Sequence, residues 1–272
     1  MKKILVPTDF STPAAHALKV AAQLAKKHHA EIYLFHALEL PVHLATTNTG
    51  KIPEAVFYMK LAHQKFEGLK KEPFLKDITI HETIDSGTAH SGITETIKKN
   101  AIDIVVMGST GASGLKEMFV GSNAEKIIRT CEVPVLIIKK EHENFNINNI
   151  VIASDFSSTS QKNLNKGVAL MTGFEGTVHF LYVNTPHLFL TTLEAEHQMK
   201  AVIDKTGMTN YTSNIFNDVS VERGILNFSQ KINADLICLG THGRKGLAHF
   251  FNGSIGEDLA NHAMRPVMTY RI

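Results

Sequence analysis

The chain has little of several things, and each shortage narrows what it can be. Among 272 residues there are only two cysteines, too few for a disulfide framework. Cys131 precedes the run VPVLII and Cys238 lies inside DLICLG, so both are expected to be small buried hydrophobes with no redox or ligand role. No stretch approaches the 18 or so apolar residues that a membrane helix needs, and the opening MKKILVPTDF is broken by Pro7 and Asp9. No sign of charge dominates either. With a formal charge of +2 and 20% charged residues, nothing pulls the chain strongly toward nucleic acid or anionic lipid. The expectation is a cytoplasmic chain that contacts neither nucleic acid nor membrane. Hydrolytic signatures are missing too: there is no G-x-S-x-G elbow, no Walker lysine motif and no H-E-x-x-H pair. The 15 histidines, among them His28, His29, His36 and His43, show no ligand spacing, so no protein-held metal and no catalytic residue are expected.

What the chain does have is itself, twice. ILVPTDFS at 4–11 returns as IVIASDFS at 150–157, aligning Asp9 with Asp155, and EIYLFHAL at 31–38 returns as TVHFLYVN at 177–184. DIVVMG at 103–108 returns as DLICLG at 235–240, and VPVLIIKK near residue 133 matches RPVMTYRI at the end of the sequence. The alignment offset drops from 146 to 132 between these blocks, so the first copy carries 14 more residues somewhere within 39–92. That insertion is either a lid or a surface excursion. The polar stretch EHENFNIN separates the copies, giving expected domains at 1–142 and 148–272, which suits a chain too long for one typical core.

Within each copy, short β-branched apolar runs alternate with amphipathic stretches. ILV, EIYLFHAL, ITIHET, IDIVVMG and VPVLIIKK are strand candidates, separated by helix patterns at 13–29, near 54–71, 93–100 and 122–130. Apolar runs without polar alternation suggest strands buried on both faces, and strand-helix repetition implies crossovers in a mostly parallel sheet. Each copy is therefore expected to be a doubly wound α/β domain, with any ligand beyond the carboxyl ends of the strands where the strand order reverses.

The glycines of GSTGASGLKEMFVGSN and GTHGRKGLAHFFNGSI fall at that edge. Gly108 and Gly240 end a strand, Gly111 and Gly243 follow three residues on, and after nine more residues Gly121 and Gly253 precede Ser122 and Ser254 and a helical pattern. Missing Cβ atoms permit positive φ and close approach of an anion, and a helix start favours phosphate. Turn geometry and shared descent alone would explain the same residues. Asp9 and Asp155 follow the first strand of each copy at the same edge, where a carboxylate can bind ribose hydroxyls, hold a metal through water, or cap the next helix. Ribose binding and capping are compatible if Ser11 or Ser157 caps.

This order of residues resembles the universal stress protein family over nearly the whole chain, as a tandem pair. The motif of glycine, two residues, glycine, nine residues, glycine and Ser or Thr is similar to that of its ATP-binding branch. The resemblance implies two five-stranded, Rossmann-like domains of the adenine nucleotide alpha hydrolase type, with nucleotide between the first and fourth strands. It implies nucleotide contacts from Thr8, Asp9, Ala37, Met107, Gly108, Gly111, Gly121, Ser122 and Asn123. The matching second set is Ser154, Asp155, Val183, Leu239, Gly240, His242, Gly243, Gly253, Ser254 and Ile255. Asp9 would meet ribose, the Ala37 backbone adenine, and the glycine loop the phosphates, with Mg²⁺ entering only on the ATP phosphates. Family members pair through their last strands, so the two final strands would form a pseudo-dimer within one chain, with a further homodimer open.

Two departures matter. Pro7 becomes Ala153, which loosens the adenine side of the second site, whereas His242, Arg244 and Lys245 stand where the first copy has Thr110, Ala112 and Ser113. Charge-assisted contacts make the second site the better occupied, with both expected to bind. The leading expectation is an ATP-binding stress or signalling regulator with an unknown protein partner and little or no hydrolysis. The alternatives are a scaffold of the same fold without nucleotide, and an adenylyl-transferring enzyme, for which no catalytic residue is visible.

Overall fold

A computed structural model of the chain describes residues 1–38, 52–109, 121–241 and 263–271. The chain divides into two compact units, one of Met1–Ile127 with Ile137–Phe145 and one of Ile128–Leu136 with Asn146–Ile272.

In the first half of the sequence the elements run β1 (Lys3–Pro7), α1 (Thr12–His28), β2 (Glu31–Ala37), α2 (Ile52–Lys70), β3 (Ile80–Asp85), α3 (Ala89–Asn100), β4 (Ile104–Gly108), α4 (Ser122–Thr130) and β5 (Val135–Ile138). The second half gives β6 (Asn149–Ala153), α5 (Gln161–Met171), β7 (Thr177–Asn184), α6 (Thr192–Ile203), β8 (Tyr211–Asn217), α7 (Val221–Lys231), β9 (Leu236–Thr241) and β10 (Val267–Arg271). The strand order is β3-β2-β1-β4-β5 in one half and β8-β7-β6-β9-β10 in the other. The ladders of β1 with β2 and β4, and of β6 with β7 and β9, are parallel. Both halves are thus Rossmann-like α/β folds whose strand order reverses beside β1 and β6, as alternation of the two periodicities predicts.

Position in the sheet follows apolar continuity. Ile4, Leu5 and Val6 of β1, Val105 and Val106 of β4, and Leu236, Ile237, Cys238 and Leu239 of β9 are buried, because helices cover both faces of a central strand. β3 and β8 are the outer strands of their halves, and their sequences IHETID and YTSNIFN carry polar residues accordingly.

Repeated polar residues fix the repeat. Asp103 Oδ2 accepts the N–H of Lys3 (3.0 Å), and Asp235 Oδ2 accepts those of Asn148 and Asn149 (2.8 and 2.9 Å), so one carboxylate staples the first strand to the fourth in each half. Helix-to-sheet approach is set by glycine. A Cβ on Gly92 would lie 2.3 Å from Phe35 Cζ, and one on Gly224 would lie 2.3 Å from Val183 Cγ1. A helical glycine costs about 1 kcal/mol relative to alanine, and here it lets α3 and α7 settle on β2 and β7.

Candidate functional site

The edge where β1 and β4 end is built by a tight turn written into Thr8-Asp9-Phe10-Ser11. Thr8 stays in the ladder through its N–H to the Phe35 carbonyl (2.8 Å), while its Oγ1 accepts the Phe10 N–H (3.0 Å). Asp9 Oδ1 accepts the Ser11 N–H (3.0 Å), and Ser11 Oγ accepts the Ala14 N–H (3.4 Å). Two overlapping side-chain turns of this kind push the residue between them into the left-handed region, and Phe10 has φ 64°. Ser11 is therefore the N-cap of α1, with Pro13 in the first turn. The Asp9 side chain shapes the turn and stays exposed at the sheet edge, and the serine does the capping.

Phe10 turns its ring onto His36 (centroids 4.7 Å) and Phe66 (5.3 Å), with the Lys65 ammonium 4.8 Å from its centre. His36 Nδ1 lies 2.8 Å from the Thr8 carbonyl. A carbonyl only accepts, so that nitrogen carries the proton. Neither Phe10 nor His36 was among the expected site residues; the αL geometry that aims Phe10 is set by the side-chain turns of Thr8 and Asp9 on either side of its amide.

On the neighbouring strand, Ser109 continues β4: its N–H donates to the Ile138 carbonyl (3.2 Å), and its own carbonyl accepts the Gly121 N–H (2.7 Å). The Gly121 carbonyl accepts the Glu125 N–H (3.0 Å), the first bond of α4. One hydrogen bond thus closes the glycine loop at its base and brings Gly108, Gly121, Ser122 and Asn123 together. It also uses the Gly121 amide. The amides left over at a helix start belong to the residues after it, Ser122 and Asn123.

Gly108 itself departs from the expected reason for a glycine. It lies in a strand, and a Cβ there would meet the Pro13 carbonyl carbon and oxygen at 2.8 and 2.9 Å, so the first turn of α1 occupies the space. Ala37 ends β2, and the next residue, Leu38, donates its N–H to the Asp85 carbonyl (2.7 Å). Met107 is buried in the sheet. Gly111 lies outside the described residues.

The second half repeats the turn and then fills it. Ser154 N–H donates to Leu181 O (3.2 Å), Ser154 Oγ accepts the Phe156 N–H (3.1 Å), and Asp155 Oδ1 accepts the Ser157 N–H (3.1 Å), with Phe156 at φ 50°. Asp155 Oδ1 also accepts the Ser160 hydroxyl, and its backbone carbonyl accepts Gln198 Nε2 (2.7 Å). Asp155 is half-buried where Asp9 is exposed. No serine caps the helix as Ser11 does: Ser158–Ser160 form a single 3-10 turn before α5, and neither Ser157 nor Ser160 accepts a capping bond.

Beyond β7 the chain folds back. Asn184 Nδ2 donates to Leu190 O (3.1 Å), its Oδ1 accepts the Leu190 N–H (3.0 Å), and Tyr182 hydroxyl donates to Leu188 O (2.9 Å). Burial, and then the Asp155 carboxylate, push the Tyr182 phenol above its ordinary pKa. Val183 is buried beneath Gly224 and pairs with Phe216, and Leu239 and Gly240 are buried in β9. His242, Gly243, Arg244, Lys245, Gly253, Ser254 and Ile255 lie outside the described residues. Both thiols are buried and free, with Cys131 pushed up to about 11 and Cys238 to about 12 by desolvation. Among the described residues no group of three or more His, Cys, Asp or Glu could hold a metal, and no helix is long and apolar enough to cross a membrane.

With this geometry in place, comparison with known proteins decides the family. The profile of the universal stress protein family matches residues 1–139 and 214–271. The chain belongs to the universal stress protein family. Two universal stress proteins of Methanocaldococcus jannaschii are 32% and 31% identical to it over 142 and 159 residues, covering 51% and 52% of this chain and 82% and 96% of their own lengths. Each relative therefore corresponds to about half of this tandem chain. A crystal structure of a universal stress protein from Archaeoglobus fulgidus superposes with a TM-score of 0.74, covering 99% of this chain and 98% of its own at 22% identity, which establishes the fold over both halves.

Proposed function

We propose that this universal stress protein binds adenine nucleotide, ATP with Mg²⁺ carried on its phosphates, in the crevice of its first half, and that occupancy regulates a stress or signalling response through a protein partner with little or no hydrolysis. The observation that carries this reading is the Gly121-to-Ser109 hydrogen bond. It holds the start of α4 at the end of β4, the strand paired with β1, whose own end carries the exposed Asp9, an arrangement suited to a phosphate on the helix amides and a ribose on the carboxylate. Phosphoryl transfer needs a positioned nucleophile and charge aimed at the γ-phosphate.

A second reading has its own support. Gly108 is required by Pro13, and one oxygen of Asp155 accepts from Ser157 and Ser160, so part of the repeated pattern serves the fold. A scaffold that takes no nucleotide would keep those residues. Denaturing the purified full chain and chromatographing the supernatant separates the two. Adenine nucleotide near one per chain, with a rise in Tm on adding Mg-ATP, is the expected result. No released nucleotide and no thermal shift favours the scaffold.

A further inference from the structure

Lys139 follows β5 directly and takes its place from the ladder. In a parallel pair, the N–H of one residue donates to the carbonyl that precedes its register partner. The Ser109 N–H donates to Ile138 O, so Ser109 faces Lys139. The second half shows the same register where Thr241 faces Arg271, and Thr241 Oγ1 reaches the Tyr270 carbonyl (3.4 Å). Opposed residues of neighbouring strands lie about 4.8 Å apart and carry their side chains on the same face. Both halves therefore put a cation opposite the first residue after the strand-ending glycine, at the base of the loop. In the first half that residue is also the one whose carbonyl holds Gly121 at the start of α4.

Lys139 is half-buried, and desolvation pushes its ammonium down to about 8. A partly desolvated ammonium gains more from a nearby anion than one in open water does, because the field between the two is less screened. Ser122 and Asn123, whose amides open α4, follow the Gly121 that the carbonyl of Ser109 holds, and Ser109 is the residue Lys139 faces.

We infer that Lys139 is the phosphate-number sensor of the first-half site, its ammonium binding the terminal phosphates of a nucleoside triphosphate at the base of the glycine loop. This rests on the nucleotide-binding reading above. It adds a specific consequence: Lys139 separates ATP from AMP and leaves adenosine recognition alone, because the adenosine end lies toward Asp9 and Ala37, across β4 and β1 from β5.

The test titrates the full chain and its Lys139→Gln and Lys139→Arg variants with Mg-ATP, AMP and adenosine. In parallel, acetylation of Lys139 by an N-hydroxysuccinimide ester is followed by peptide mass spectrometry. Loss of a charge-assisted contact predicts about a tenfold weaker Kd for ATP in Lys139→Gln, with AMP and adenosine within about twofold of wild type and ATP preference kept in Lys139→Arg. ATP, and not adenosine, slows Lys139 acetylation. Equal losses for ATP and AMP, or ATP binding that neither shields Lys139 nor responds to Lys139→Gln, overturn the assignment and leave the nucleotide site standing. Wild-type protein that binds none of the three overturns the site and the assignment together.

Discussion

The two halves carry one turn sequence and put it to different uses. In the first, Asp9 stands exposed beside a capped helix; in the second, Asp155 is half-buried and accepts from Ser157 and Ser160 on one oxygen. The sequence difference behind this is small. Thr12-Pro13 lets Ser11 cap α1 at once, whereas Ser158-Thr159-Ser160 make an extra 3-10 turn that swings a hydroxyl back onto the carboxylate. Repetition of a residue is thus weaker testimony to a ligand than its exposure. Gly92 and Gly224, or Asp103 and Asp235, recur as faithfully as the loop glycines, and they pack helices and join strands.

The largest expected effect is on the loop of the first half. Gly121→Val puts a branched Cβ at the start of α4 and is expected to weaken ATP binding more than a hundredfold by calorimetry, with the Tm little changed. If binding survives, the first half is not the site. Next, Gly108→Ala drives a methyl into the Pro13 backbone and should cost about 1–3 kcal/mol of stability in urea melts; a neutral result would mean that space for a ligand, not for α1, explains that glycine. The matched pair Asp9→Ala and Asp155→Ala sharpens the contrast directly. Asp9→Ala should lower ATP affinity about tenfold, with a stability loss smaller than that of Asp155→Ala because the Ser11 N–H it leaves lies in an exposed turn. Asp155→Ala should destabilise by about 1–2 kcal/mol, because Ser157 N–H and the Ser160 hydroxyl lose their acceptor, and leave ATP affinity within about twofold.

The smallest effect concerns pH. His179 is held by Thr212 and Asn149, and desolvation lowers its pKa below 6.5. The neutral ring's contribution is fully present above the unfolded value and is lost as pH falls through the lower folded value. Stability should therefore drop below about pH 6.5, and a His179→Gln variant should lose less of it on the acid side.

Much of this was legible beforehand. Continuous apolar runs suggested strands buried on both faces, and the residue spacing placed a helix at 122–130, where α4 lies. Strand-helix alternation implied the mostly parallel sheet, and the reversal between the first and fourth strands came from the family resemblance, because both depend on patterns that span many residues. What escaped depends on single contacts. Nothing in Gly108 announces that Pro13 lies against it, nothing in Ser160 that it turns back to Asp155, and nothing in Phe10 that its φ is positive. The expected preference for the second site rested on Arg244 and Lys245, outside the described residues. The proposal sits in the first half because Asp9 is exposed where Asp155 is half-buried.

A crystal structure of the full chain grown with Mg-ATP tests the central claim most directly. The account predicts density for one triphosphate in the first half, its phosphates on the Ser122 and Asn123 amides and its ribose on Asp9. Clear density in the second half with the first half empty would contradict it.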